Sequence, residues 1–144
     1  MQIVFDFDGV GDSNIKRSFL CLVDKTVEHF PAISKFIDKI AWVWEILNTN
    51  NDKKKIKRIE EFAQKLKREY DADAEVFILS SRKVRSEMAL PLESGELSSK
   101  IKKLKQLCEV DRVIYSTDSQ REIKTIKQEM QEMLRDGRLK VIKV

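Results

Sequence analysis

The sequence predicts a three-layer α/β fold with a mainly parallel sheet of four or five strands. Two observations indicate this fold. Short apolar runs rich in β-branched residues, typical of strands buried on both faces, recur along the chain. Between them lie longer stretches with apolar residues at helical spacing, so strands and helices alternate. The 144 residues are expected to form one domain.

The predicted strands are 2–7, 76–79 and 112–116, followed by an edge strand at 139–144. A short edge strand is also predicted at 88–92. Lys140 and Lys143 suit an exposed sheet edge. Helices placed between successive strands require right-handed crossovers, which makes the predicted fold Rossmann-like.

Helical periodicity marks five segments: 15–30, 31–47, 53–70, 97–108 and 123–134. Asp52 is predicted to cap the third helix. The lysine-rich runs 53–58 and 100–105 are interpreted mainly as solvated helix faces. The end of the second helix is apolar almost all round, so the helix containing Trp42 and Trp44 is expected to be buried on two sides or to form a homodimer contact.

The composition restricts the available chemistry. The only cysteines, Cys21 and Cys108, are far apart in the sequence, and there is a single histidine, His29, which excludes a disulfide framework and a cysteine or histidine zinc site. No long apolar run or secretory signal is present, so the protein is expected to be cytoplasmic, without a membrane partner. Catalysis would therefore use carboxylates, hydroxyls, lysines and a hard metal ion.

Polar side chains follow three of the predicted strands. Asp6 and Asp8 end the first, Ser80 and Ser81 follow the second, and Asp118 follows the third. Parallel α/β sheets bind ligands at the carboxyl ends of their strands, so these residues are expected to converge. Clustered carboxylates repel one another unless a cation lies between them, and hard oxygen ligands favour Mg²⁺.

These residues resemble the motifs of the haloacid dehalogenase-like (HAD) phosphatase superfamily. Residues 3–10, IVFDFDGV, are similar to its first motif, and Asp12-Ser13 resembles the DS that often follows. Residues 76–80 look like the second motif. Residues 113–118, continued by Glu122, look like the fourth.

The resemblance implies a role for each matched residue. Asp6 would be the nucleophile that forms an aspartyl-phosphate, and Asp8 would be the general acid and then the base. Ser80 would orient the phosphoryl group. Gly9, which permits a sharp turn, and Ser81 are predicted to contact substrate. The Mg²⁺ site is predicted to comprise Asp6, Asp8, Asp118 and Glu122, with Glu122 supporting the others.

The family's third motif is a lysine on the helix before the last catalytic strand. The candidates are Lys100, Lys102, Lys103 and Lys105. At about 100° per residue, Lys100 lies roughly 70° from the centre of the apolar face and Lys102 roughly 130°, so Lys100 is preferred and Lys102 comes second. The long segment before residue 76 leaves room for a small helical cap at 15–48 within the single HAD-like domain.

Three functions remain open at this point. The leading prediction is a Mg²⁺-dependent phosphomonoester hydrolase that acts on a small phosphorylated substrate. The second is a metal-dependent ribonuclease similar to PIN or NYN domains, in which the metal ligands are Asp6 or Asp8, Glu45 or Glu96, and Asp118, and the lysine-rich helices hold RNA. The third is a catalytically degenerate binding module with the cap helix and its tryptophans as the interface.

Overall fold

The computed structural model describes residues 1–7, His29 and 52–144, and element labels refer to these residues. The elements in chain order are β1 (Gln2–Asp6), α1 (Asp52–Glu69), β2 (Glu75–Leu79), α2 (Leu97–Val110), β3 (Val113–Thr117), α3 (Gln120–Glu129), α4 (Gln131–Arg135) and β4 (Leu139–Lys143). Several predictions lie outside the described residues: Asp8, Gly9, Glu45, the cap at 15–48 and the helix of Trp42 and Trp44.

The four strands form a parallel sheet in the order β2-β1-β3-β4, with helices packed against it. The predicted α/β, Rossmann-like fold class is therefore confirmed. Beside β2, Ala89 forms an isolated parallel bridge with Ile78, where a short edge strand was predicted. Ile78 N–H donates to the Met88 carbonyl at 2.8 Å, and Leu90 N–H donates to the Ile78 carbonyl at 2.9 Å.

Burial along the strands follows their place in the sheet. Every residue of the central strands β1 and β3 is buried, whereas β4, at one edge, exposes Lys140 and Lys143. Strands covered on both faces need apolar residues on both faces, which explains the consecutive apolar residues at 3–5 and 113–115.

Two apolar clusters show which helices cover which face. Val4, Tyr115 and Leu79 pack with residues of α2 and α3, including Leu104 and Ile126. The alternate strand positions pack with α1; this second cluster includes Ile3, Phe5, Ile78, Ile59 and Leu66. The side chain of Asp6, two residues after Val4, belongs to the face covered by α2 and α3.

The structure differs from the sequence prediction at three places. The last predicted helix is two helices, because the chain leaves helical geometry at the buried Met130. Asp52 lies inside α1 as its first residue, where its carboxylate binds Arg82. The interpretation of 53–58 as a solvated face is wrong at Lys55, which is 2% exposed, because this residue lies one turn before Ile59 on the core-facing side.

Candidate functional site

The candidate site lies where β1 and β3 end side by side. The second crossover leads from β2 past β1 to β3, so the direction of strand addition reverses between β1 and β3. In open parallel sheets this switch point is the usual position of a ligand site. Asp6 is the last residue of β1, and Thr117 is the last residue of β3.

A buried lysine joins two carboxylates at this point. Lys100, in the first turn of α2, places its Nζ 2.8 Å from Asp6 Oδ1 and 2.6 Å from Glu122 Oε1. The Lys100 side chain is 4% exposed, and both carboxylates are also buried. We call Asp6, Lys100 and Glu122 the buried triad.

The other carboxylate oxygen of Glu122 is held by two hydroxyls of β3. Tyr115 Oη donates to Glu122 Oε2 at 2.7 Å, and Thr117 Oγ1 lies 3.0 Å from the same atom. Thr117 Oγ1 is also 3.3 Å from Asp6 Oδ2. Glu122 lies in the first turn of α3, which Ser119 caps by accepting a hydrogen bond from the Glu122 N–H.

The pKa shifts show where the negative charge is least compensated. Burial acts against charge on Glu122, but Lys100 and the two hydroxyls outweigh it and lower the pKa of Glu122. The pKa of Lys100 is raised, because the two carboxylates outweigh burial. The pKa of Asp6 is raised well above its ordinary value by burial and by the charge of Glu122, with Asp118 adding to the effect and Lys100 opposing it. The surroundings therefore favour the charged forms of Glu122 and Lys100 and disfavour the charged form of Asp6.

The donor chemistry next to Asp6 suits a hard divalent cation. The pKa of Asp6 is raised by burial first and then by the charges of Glu122 and Asp118, and a second positive charge near Asp6 would oppose all three effects. The oxygens of Glu122 already accept from Lys100, Tyr115 and Thr117, so Glu122 fits a supporting position better than a ligand position. Within residues 1–7, 29 and 52–144, no three histidine, cysteine or acidic side chains form a metal-binding group. The predicted Mg²⁺ site includes Asp8, outside these residues, and stays a prediction.

The loop after β2 approaches the start of α2. Ser80 is half-buried, with its Oγ accepting from the Arg82 N–H at 3.2 Å, and Ser81 is exposed. A Cβ on Gly95 would lie 2.6 Å from the Ser81 carbonyl oxygen. Glycine at position 95 therefore allows the two ends of the connection between β2 and α2 to touch, at the same end of the sheet as Asp6.

The remaining sequence candidates lie nearer the surface. Lys102 is 58% exposed and pairs with Glu93 at 2.7 Å, and Lys105 lies 3.6 Å from Glu129. Among the four candidate lysines, Lys100 is the one that reaches Asp6. Asp118 is half-buried directly after β3, and Glu96, a ligand in the ribonuclease alternative, is an exposed residue before α2.

Sequence reasoning missed four residues around the site. Tyr115 and Thr117 alternate along β3 on the face of the buried triad, and their spacing with Asp6 across paired strands could have indicated them. Arg82 and Lys55 lie over the ring of Phe7, at 4.9 Å and 5.2 Å from its centre. Lys55 was recoverable by extending the apolar stripe of α1 back one turn, but no local pattern marks Arg82.

Comparison with protein-family models, curated proteins and solved structures found no match to the chain. The HAD-like interpretation therefore depends on the motifs and on the geometry at the carboxyl ends of the strands. None of the helices within the described ranges is both long enough and apolar enough to cross a membrane.

Proposed function

We propose that this chain is a phosphomonoester hydrolase that uses Asp6 as a nucleophile. The observation that carries the proposal is the contact of Lys100 Nζ with Asp6 Oδ1 at the switch point of the sheet. The lysine belongs to the helix before β3, which is where the HAD-like motifs require it. A phosphoryl group beside Asp6 would lie between this ammonium and the loop of Ser80.

The reaction proceeds in two steps. A carboxylate oxygen of Asp6 forms a bond to phosphorus, the bond from phosphorus to the leaving oxygen breaks, and that oxygen takes a proton from Asp8. Asp8 then accepts a proton from water, whose oxygen attacks phosphorus and breaks the bond to Asp6. Inorganic phosphate leaves and the Asp6 carboxylate is restored.

Lys100 has two roles in this reaction. Its ammonium favours the ionised form of Asp6, which is the form that can attack. It also lies where negative charge develops on the phosphoryl oxygens, and a fixed buried charge stabilises a transition state more strongly than one in water. Glu122, held by Tyr115 and Thr117, keeps the lysine in this position.

The proposed cofactor is Mg²⁺, held by Asp6, Asp118 and the backbone carbonyl of Asp8, with Glu122 in support. When bound, it would lower the charge repulsion between the phosphoryl group and the carboxylates. The proposed substrate is a small phosphorylated molecule.

The ribonuclease alternative uses the same carboxylates differently. A nuclease that activates water on metal ions needs its carboxylate oxygens as ligands, and it forms no covalent intermediate. Of the ligands in this alternative, Glu96 is an exposed residue before α2, whereas the lysine contact with Asp6 is the one that the phosphatase motifs require. This arrangement favours the phosphatase, and RNA cleavage becomes an outcome of the test.

The test compares the wild type, Asp6→Asn and Lys102→Met on an aryl phosphate and on single-stranded RNA, each with Mg²⁺ or Mn²⁺. We expect aryl phosphate hydrolysis that is lost in Asp6→Asn and retained in Lys102→Met, since Lys102 is a surface lysine on the same helix. RNA cleavage without phosphatase activity would contradict the proposal. Inactivity in both assays would favour the binding module.

A further inference from the structure

The loop after β2 contains a buried arginine that the proposed reaction does not use. The side chain of Arg82 is only 5% exposed, although the residue lies in a loop. Its Nη2 donates to Asp52 Oδ1 at 2.8 Å, and its Nη1 donates to Asp52 Oδ2 at 3.2 Å. Asp52 is the first residue of α1, so this bidentate ion pair connects the loop after β2 to that helix.

The same guanidinium lies against the residue that follows the proposed nucleophile. Arg82 Cζ is 4.9 Å from the centre of the Phe7 ring, and Phe7 is fully buried. A planar guanidinium can lie over an aromatic ring while its edge binds a carboxylate, which lysine cannot do equally well. Arg82 therefore connects the end of β1, the start of α1 and the loop after β2.

The backbone of Arg82 contacts the hydroxyl that is proposed to bind the phosphoryl group. The Arg82 N–H donates to Ser80 Oγ at 3.2 Å. A hydroxyl oxygen that accepts a hydrogen bond can still donate its own hydrogen, and this contact limits the directions in which it does so. The orientation of Ser80 therefore depends on where the Arg82 backbone is held.

We infer that Arg82 is a positioning residue that acts through Ser80. Its anchorage to Asp52 and Phe7 holds the loop so that the Ser80 hydroxyl donates to a phosphoryl oxygen beside Asp6. This inference rests on the proposed function and adds to it the residue that sets phosphoryl affinity.

The experiment measures the inhibition constant of inorganic phosphate against aryl phosphate hydrolysis. The variants are Arg82→Lys, Ser80→Ala and the double variant, and denaturant unfolding is measured for each. Arg138→Lys is the matched control, because Arg138 binds Asp136 in an exposed pair just before β4, at the opposite end of the sheet. Asp52→Asn weakens the contact between Arg82 and Asp52 while the arginine is retained. This variant replaces Arg82→Lys if Arg82→Lys does not fold.

We expect the inhibition constant to rise about tenfold in Arg82→Lys and in Ser80→Ala, because a hydrogen bond to a charged group is lost in both. The double variant should bind phosphate no more weakly than Ser80→Ala alone, since both changes remove the hydrogen bond from the Ser80 hydroxyl to phosphate. Asp52→Asn should show the same rise, and Arg138→Lys none.

Two results would overturn the inference while leaving the proposed function intact. One is an active Arg82→Lys or Asp52→Asn protein whose inhibition constant equals that of the wild type. The other is a double variant whose loss is the product of the two single losses, which indicates a structural effect independent of Ser80. A wild type that neither hydrolyses aryl phosphate nor binds phosphate would overturn both proposals together.

Discussion

Replacing Lys100 with methionine would leave two buried carboxylates without their shared cation. The ammonium lies 2.8 Å from Asp6 and 2.6 Å from Glu122, and its side chain is 4% exposed. Removing one partner of a buried ion pair typically costs about 3 to 5 kcal/mol, because the other charge stays buried and unpaired. Methionine fills most of the space of the lysine stem, so the cost is electrostatic more than steric.

The expected magnitude lies at the lower end of this range. Glu122 retains its hydroxyl donors, Tyr115 and Thr117, and Asp6 takes up a proton readily because its pKa is already raised. We therefore expect Lys100→Met to lose about 3 kcal/mol of unfolding free energy at pH 8. The loss should be smaller at pH 5, because protonation of the two carboxyl groups removes the unpaired charges.

Urea unfolding followed by circular dichroism at the two pH values measures this loss. The matched control is Lys102→Met, which removes an exposed ion pair of similar length from the same helix and should change stability by less than about 1 kcal/mol. The reasoning is refuted if Lys100→Met is as stable as Lys102→Met at pH 8, or if its deficit grows as the pH falls.

Three further predictions concern the surroundings of Lys100. Asp6→Asn should stabilise the metal-free protein at pH 8, and the gain should disappear as the pH falls towards 3.8. A carboxyl group whose pKa is raised by folding lowers stability only at pH values where it is ionised in the unfolded chain. Equal stability of the two proteins across this range in urea unfolding would contradict the prediction. Tyr115→Phe should cost about 1.5 to 3 kcal/mol in the same assay, because Glu122 loses a buried donor, whereas Tyr70→Phe, at an exposed Lys140 contact, should cost less. Gly95→Ala should cost about 1 to 3 kcal/mol, since its Cβ would lie 2.6 Å from the Ser81 carbonyl oxygen. An unchanged melting temperature would show that Gly95 and Ser81 do not meet.

The fold was predictable because each central strand contains three consecutive apolar residues, at 3–5 in β1 and at 113–115 in β3. Every residue of β1 and β3 is buried, and such runs have few other interpretations when helices separate them. The break at Met130 was not predictable, because the apolar periodicity of α3 continues through it into α4.

The candidate site could be predicted in part. The position of Lys100 on its helix places it near the inward face, and the structure has it against Asp6. Helical periodicity assigns a lysine to a face of its helix, but it does not show which side chains the lysine contacts. For this reason the sequence alone leads to a solvated position for Lys55. The contact between Arg82 and Asp52 joins residues 30 positions apart, and only tertiary structure brings such a pair together.

The measurement that tests the central claim most directly is chemical trapping of the aspartyl-phosphate. The protein would be mixed with aryl phosphate and Mg²⁺ and quenched with borohydride, which reduces an acyl phosphate to an alcohol. The account predicts that peptide mass analysis finds homoserine at position 6, in the wild type but not in Asp6→Asn. Turnover of aryl phosphate with an unmodified Asp6, or with the modification at another carboxylate, would contradict the assignment of Asp6 as the nucleophile.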